Sequence, residues 1–91
     1  MRTTKEQVNL AFERMIKQMG GRIATSYNDV GAFRLDSNPT YGGYVVEQII
    51  SEGGAVTRPF GDKRMKPNQA WETFWFASRT LEVLDTLQKR D

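Results

Sequence analysis

Pro67-Asn68-Gln69-Ala70-Trp71-Glu72-Thr73-Phe74-Trp75-Phe76-Ala77-Ser78-Arg79-Thr80-Leu81-Glu82-Val83-Leu84-Asp85-Thr86-Leu87-Gln88-Lys89 is the stretch whose reading decides the fold. Pro67 suits the first position of a helix, where its fixed φ and missing N–H cost nothing, and neither glycine nor proline follows it. The spacing predicts a helix of about six turns. Ala70, Phe74, Ala77, Leu81 and Leu84 recur at intervals of four and three and line one stripe, with Trp71 at its edge. Phe76, Val83 and Leu87 form a second apolar line roughly 120° further round, and Trp75 sits between the two. One helix therefore has two apolar surfaces to cover.

Two arrangements meet that demand. In the first, a sheet takes the first stripe and an N-terminal helix takes the second, the ordinary packing of a small α+β domain. In the other, Trp75, Phe76, Val83 and Leu87 form a homodimer seam or a docking site for a partner protein. Burying one Trp or Phe withdraws about 150–250 Å² from water, on the order of 4–6 kcal/mol gross, so several left uncovered imply a partner.

Upstream of this helix lies the turn Gly61-Asp62-Lys63-Arg64-Met65-Lys66. Arg58, Lys63, Arg64 and Lys66 fall within nine residues, opposed by Asp62 alone, and lead into a helix N-terminus whose free N–H groups favour anions. Four phosphates neutralised there give log K a slope of about −3.6 against log salt, roughly a hundredfold loss between 50 and 200 mM. The same cations equally dress a solubilising loop.

At the other end of the chain, Thr3 and Glu6 have the spacing of a capping box and predict a helix start. Val8, Ala11, Phe12, Met15, Ile16 and Met19 then share one face, and Gly20-Gly21 ends the helix. Between the helices, shorter runs separated by glycine pairs read as hairpins. Arg22 to Ser26 is a short strand or a lead-in. Ala32 to Ser37 alternates, with Phe33 and Leu35 on one side and Arg34 and Asp36 on the other. After a turn over Asn38 to Gly43, Tyr44 to Ser51 is the strongest strand. Its consecutive Glu47 and Gln48 break strict alternation, which implies a bulge or a strand covered on both faces. Ser51 to Gly54 turns the chain into Ala55 to Phe60, where Pro59 ends a strand or marks an edge. The order is α-β-β-β-α: an α+β domain with a three-stranded antiparallel sheet and both helices packed on one face.

Ninety-one residues make one domain, spanning 1–91. The chain has neither cysteine nor histidine, which removes disulfides, thiolate chemistry, the usual general base and the commonest transition-metal ligand. Nothing calls for a cofactor. Thirteen Lys and Arg against eleven Asp and Glu give a net charge of +2, a balance that permits nucleic-acid binding without arguing for it. An amphipathic N-terminus, with no apolar run, points to a soluble, cytoplasmic protein without a membrane span. Asp36, Glu47 and Glu52 lie on or beside neighbouring strands but lack clustered metal-ligand spacing, and no glycine pair matches a phosphate loop. Tyr27, Tyr41 and Tyr44 near the turns suit either base stacking or packing of the sheet.

Two resemblances add to this reading. Asn38-Pro39-Thr40-Tyr41-Gly42-Gly43-Tyr44, Glu52-Gly53-Gly54, Pro59-Phe60-Gly61, Arg64 and Phe76-Ala77-Ser78-Arg79-Thr80-Leu81-Glu82 together resemble small proteins of tailed bacteriophages and prophages. That resemblance covers about the C-terminal half. It implies a phage source, the host cytoplasm as the site of action and a non-enzymatic accessory role, and it brings no activity with it. The element order, with basic residues before the last helix, is also similar to the double-stranded-RNA-binding domain, in which Lys63, Arg64 and Lys66 would stand at phosphate-gripping positions. Here Pro67-Asn68-Gln69-Ala70-Trp71 replaces the alanine-rich helix start of that family, and fold does not fix function. The expectation is a binding protein without catalysis that modulates a host or phage protein through Trp75, Phe76, Val83 and Leu87, or else forms a homodimer. The alternative is weak, largely non-specific nucleic-acid binding through Arg58, Lys63, Arg64 and Lys66.

Overall fold

Helix α1 (Lys5–Gln18) begins at Thr4, whose Oγ1 accepts the Gln7 N–H at 3.2 Å while the Gln7 side chain accepts the Thr4 N–H at 2.8 Å. The capping box is thus one residue later than the expected Thr3 and Glu6. Thr3-x-x-Glu6 and Thr4-x-x-Gln7 overlap in the sequence, and a glutamine carbonyl satisfies the cap N–H as a carboxylate does. At the far end Gly20, at φ 80°, donates to Lys17 and Gly21 donates to Ile16, both carbonyls of the last turn. This pair of bonds is the standard left-handed helix exit. The computed structural model describes residues 3–37 and 42–89.

Three antiparallel strands follow, β1 (Phe33–Ser37), β2 (Tyr44–Ile49) and β3 (Val56–Thr57), in the spatial order β1-β2-β3. Helix α2 (Pro67–Gln88) closes the chain, with Pro67 in its first turn. The order α-β-β-β-α expected from the sequence is the one observed. Arg22 to Ser26 is a lead-in whose one ladder contact is a parallel bridge from Ile23 to Phe33. The Asn38-to-Gly43 turn lies outside the described residues except for Gly42 and Gly43. β3 is shorter than expected and stops two residues before Pro59. Met65 then takes over its place, pairing with Tyr44 through two 2.8 Å bonds on the same edge of β2.

Strand register assigns each side chain to a face. Phe33, Leu35, Tyr44 and Val46 point toward the helices and join Val8, Phe12, Met15, Ile16, Ala70 and Phe74 in the core. Both helices begin at one end of the molecule, where 3–5 and 66–69 border a common cleft, and they run parallel until Arg14 and Gln18 of α1 meet Glu82 of α2. Midway, the Phe12 and Phe74 rings meet edge to face at 5.6 Å. The first stripe of α2 is therefore taken by α1 together with the sheet. The arrangement that gave α1 the second stripe does not occur, because one helix face cannot serve both sides of α2 at once.

β2 is covered on both faces and carries no bulge; its five-pair register with β1 is continuous. On the side away from the helices, Val45, Glu47 and Ile49 are all buried. The consecutive Glu47 and Gln48 that broke the alternation belong to opposite faces of a strand with no wet side.

Two substitutions test this packing. Gly42 and Gly43 both sit at positive φ, but a Cβ at Gly43 falls 2.8 Å from the Met65 carbonyl while one at Gly42 meets nothing. Thermal melts of Gly42→Ala and Gly43→Ala should both fall, the first by about 1 kcal/mol of left-handed strain and the second clearly further, since the Met65 bridge must shift. Ser78 is buried facing α1, and its hydroxyl has no partner among the described residues. Ser78→Ala should accordingly raise the melting temperature, by roughly 1 kcal/mol of relieved desolvation.

Candidate docking face and arginine ladder

The helix-free face of the sheet is built from rows of residues facing one another across the strands. In the middle row Arg34 on β1 stands opposite Glu47 on β2, and Arg58, one residue beyond β3, reaches Glu47 from the other side. Arg34 Nε donates to Glu47 Oε1 at 2.8 Å, and Arg58 donates to Oε2 through Nη2 at 3.2 Å and Nε at 3.3 Å. Glu47 is 3% exposed, so this clasp from two guanidiniums is what allows a charged carboxylate in the interior. Hydrogen bonding to Glu47 raises Arg58 above the ordinary guanidinium range, and Asp62 adds to it. In the next row Arg64 spans β2 at the level of Val45 and donates from Nη2 to Asp36 at 2.6 Å.

This ladder changes the meaning of the basic turn. Arg58 and Arg64 are folded onto the sheet and paired with Glu47 and Asp36. Lys63 and Lys66 remain exposed with no ion pair among the described residues, and Lys66 borders the cleft between the two helix starts with Lys5. The structure does not bring the four cations together as one free patch. Asp36 and Glu47 are likewise committed to arginines, and among the described residues no group of three or more carboxylates converges. Tyr44 is in the core, which removes it as a stacking surface; Tyr27 is exposed beside Gly54, and Tyr41 is outside the described residues.

The apolar line on α2 is placed differently. Phe76 is 70% exposed, Val83 56% and Leu87 54%. At 100° per residue these three fall within an arc of about 40°, on the side of the helix directly away from Phe74. Thr73 and Thr80 stand close to the same line. Their hydroxyls bond back to the Gln69 and Phe76 carbonyls at 2.8 and 3.0 Å, which satisfies the polar atoms within the helix and leaves the methyl groups to dress the surface. Trp75 does not belong to this face. Its ring stacks on Trp71 at 6.1 Å, lies 5.8 Å from the Arg79 guanidinium and borders a groove with Leu10, Ala11 and Arg14.

Two residues join the face that sequence reasoning left out. Phe60 comes up from the loop beside Glu72, Thr73, Phe76 and Ala77 and borders a shallow hollow there. Leu84, expected in the core stripe, is 48% exposed. Its helical spacing is that of a core residue, but α2 has 22 residues against 14 in α1 and outruns it by eight, about 12 Å. The unequal lengths of the two helices were the signal available in the sequence. No family model, curated protein or solved structure matches this chain.

Pairing of Arg58 and Arg64 leaves Lys63 and Lys66 as the free cations of the turn. Anisotropy titrations of double-stranded RNA at 50 and 200 mM salt should therefore show weak binding at most, with a slope near −1.8 and roughly a tenfold loss, not the hundredfold of four free cations.

Proposed function

We propose that this chain is a binding protein without catalysis, and that the outer face of α2 docks a protein and modulates it by contact. The observation that carries this reading is the line Phe76, Val83 and Leu87, exposed and set opposite the buried Phe74. Large side chains aligned on one uncovered helix face lose about 25 cal/mol for every Å² they leave in water, and a partner helix or groove recovers it. Absence of histidine and cysteine from the sequence supports a role in contact over one in catalysis. The resemblance to small tailed-phage proteins agrees with an accessory protein whose target is a host or phage protein. Nucleic-acid binding by the basic turn is the second reading. It rests on the exposed Lys63 and Lys66 and ranks behind because Glu47 and Asp36 neutralise the two arginines beside them.

A photo-crosslinking amino acid replacing Thr80 in the full chain tests the docking face, with the same group replacing the exposed Thr57 of β3 as control. Cross-links to protein from position 80 and not from 57, lost on Phe76→Glu with the melting temperature unchanged, are the expected result. Equal labelling from both positions, or none from 80, overturns the reading.

A further inference from the structure

Thr73, Phe76, Thr80, Val83 and Leu87 follow one another at spacings of three, four, three and four, the repeat by which two helices pack lengthwise. Each end of this line borders a shallow hollow. Near its start, Phe60, Glu72, Thr73, Phe76 and Ala77 border the first. Near its end Leu87, half-exposed on the overhanging last turns of α2, borders the second with Arg79, Glu82, Val83 and Thr86. Phe76 and Leu87, which rim the two hollows, are eleven residues apart, about 16 Å along the helix. A two-fold axis crossing α2 midway between them sets each Leu87 against Phe76 of the other copy and brings Thr80 opposite Val83 of that copy.

We propose that the outer face of α2 is self-complementary and closes a two-fold homodimer in which the α2 helices of two copies lie antiparallel; this names the partner for the docking face above and rests on that reading. Charge selects the register. On one flank of the line lie Ala77 and Leu84, and on the other Glu72, Arg79 and Thr86. In the antiparallel register described, Leu84 meets Ala77 of the second copy and Arg79 meets its Thr86, so no like charges face each other. Sliding one helix by seven residues, so that Phe76 faces Thr80, sets Arg79 against Arg79 of the other copy and strands Leu87 in water. The opposed helix dipoles also favour the antiparallel arrangement.

Area agrees with a modest dimer. The exposed parts of Phe60, Phe76, Val83, Leu84 and Leu87 amount to on the order of 400 Å² of apolar surface per copy. The smallest stable interfaces take about 600 Å² from each partner, roughly two-thirds of it apolar in homodimers. Interfaces at this lower limit include the transient ones, so monomer and dimer are expected to exchange.

Sedimentation equilibrium of the full chain from about 5 to 500 µM tests the proposal. The expected mass rises with concentration from 10.4 kDa toward twice that value. Val83→Glu should hold the chain monomeric, with a melting temperature that matches the wild type at the dilute end of the range and does not rise with concentration. Thr80→Lys combined with Val83→Glu should restore the dimer, because the antiparallel register sets each new cation against a new anion while a parallel one sets like against like. A monomer at every concentration, a dimer indifferent to Val83→Glu, or a double variant that stays monomeric overturns the proposal. If the chain is monomeric but the Thr80 cross-linker still captures a different protein, the docking reading stands and the homodimer falls; if that position captures nothing, both fall.

Discussion

Contact between Phe12 and Phe74, made by two helices that start at the same end of the molecule and run parallel, is the constraint on which the rest of the structure depends. Once Ala70, Phe74 and Ser78 are committed to α1 and the sheet, rotation of 100° per residue sends Phe76, Val83 and Leu87 outward. No rotation of α2 buries both lines, because they lie on opposite sides of one cylinder. Parallel starts have a second consequence. The longer helix overhangs the shorter at its C-terminal end, and Leu84, at a core-like spacing, is left half-exposed there.

The sheet meets the opposite problem. β2 is buried on both faces, yet helices cover only one of them. On the other, guanidinium groups lie over the strand: Arg34 and Arg58 clasp Glu47, and Arg64 crosses to Asp36. Long arginine stems cover apolar surface while their heads satisfy carboxylates, which is how a domain of this size closes a second face without another helix. Such a face is a costly way to bury charge, and it is stable only while each carboxylate keeps its partners. Cations that a linear count assigns to a ligand are thereby drawn into the fold.

The two faces differ in chemistry. The ladder side carries paired charges, whereas the outer side of α2 carries Phe76, Val83 and Leu87 in one exposed apolar line. Internal bonding of the Thr73 and Thr80 hydroxyls adds to its apolar character, since neither requires a polar partner across an interface. Trp75, close in sequence, serves a different surface through its stacking on Trp71.

Local physics was legible without the fold. Pro67 at the helix start, the glycine pair after α1, the alternation of Phe33 to Asp36 and the two apolar lines of α2 follow from φ restriction and side-chain periodicity, which depend on near neighbours alone. The choice between Thr3 and Thr4 as cap was already ambiguous at that level, because two overlapping boxes satisfy the same donors. Tertiary structure decided the rest: which line of α2 is inside, that Leu84 overhangs, that Glu47 is buried between arginines, and that Arg58 and Arg64 are taken while Lys63 and Lys66 are not. Each of these depends on elements far apart in the chain meeting in space. Spacing along a sequence states which residues share a face; only packing states what that face meets.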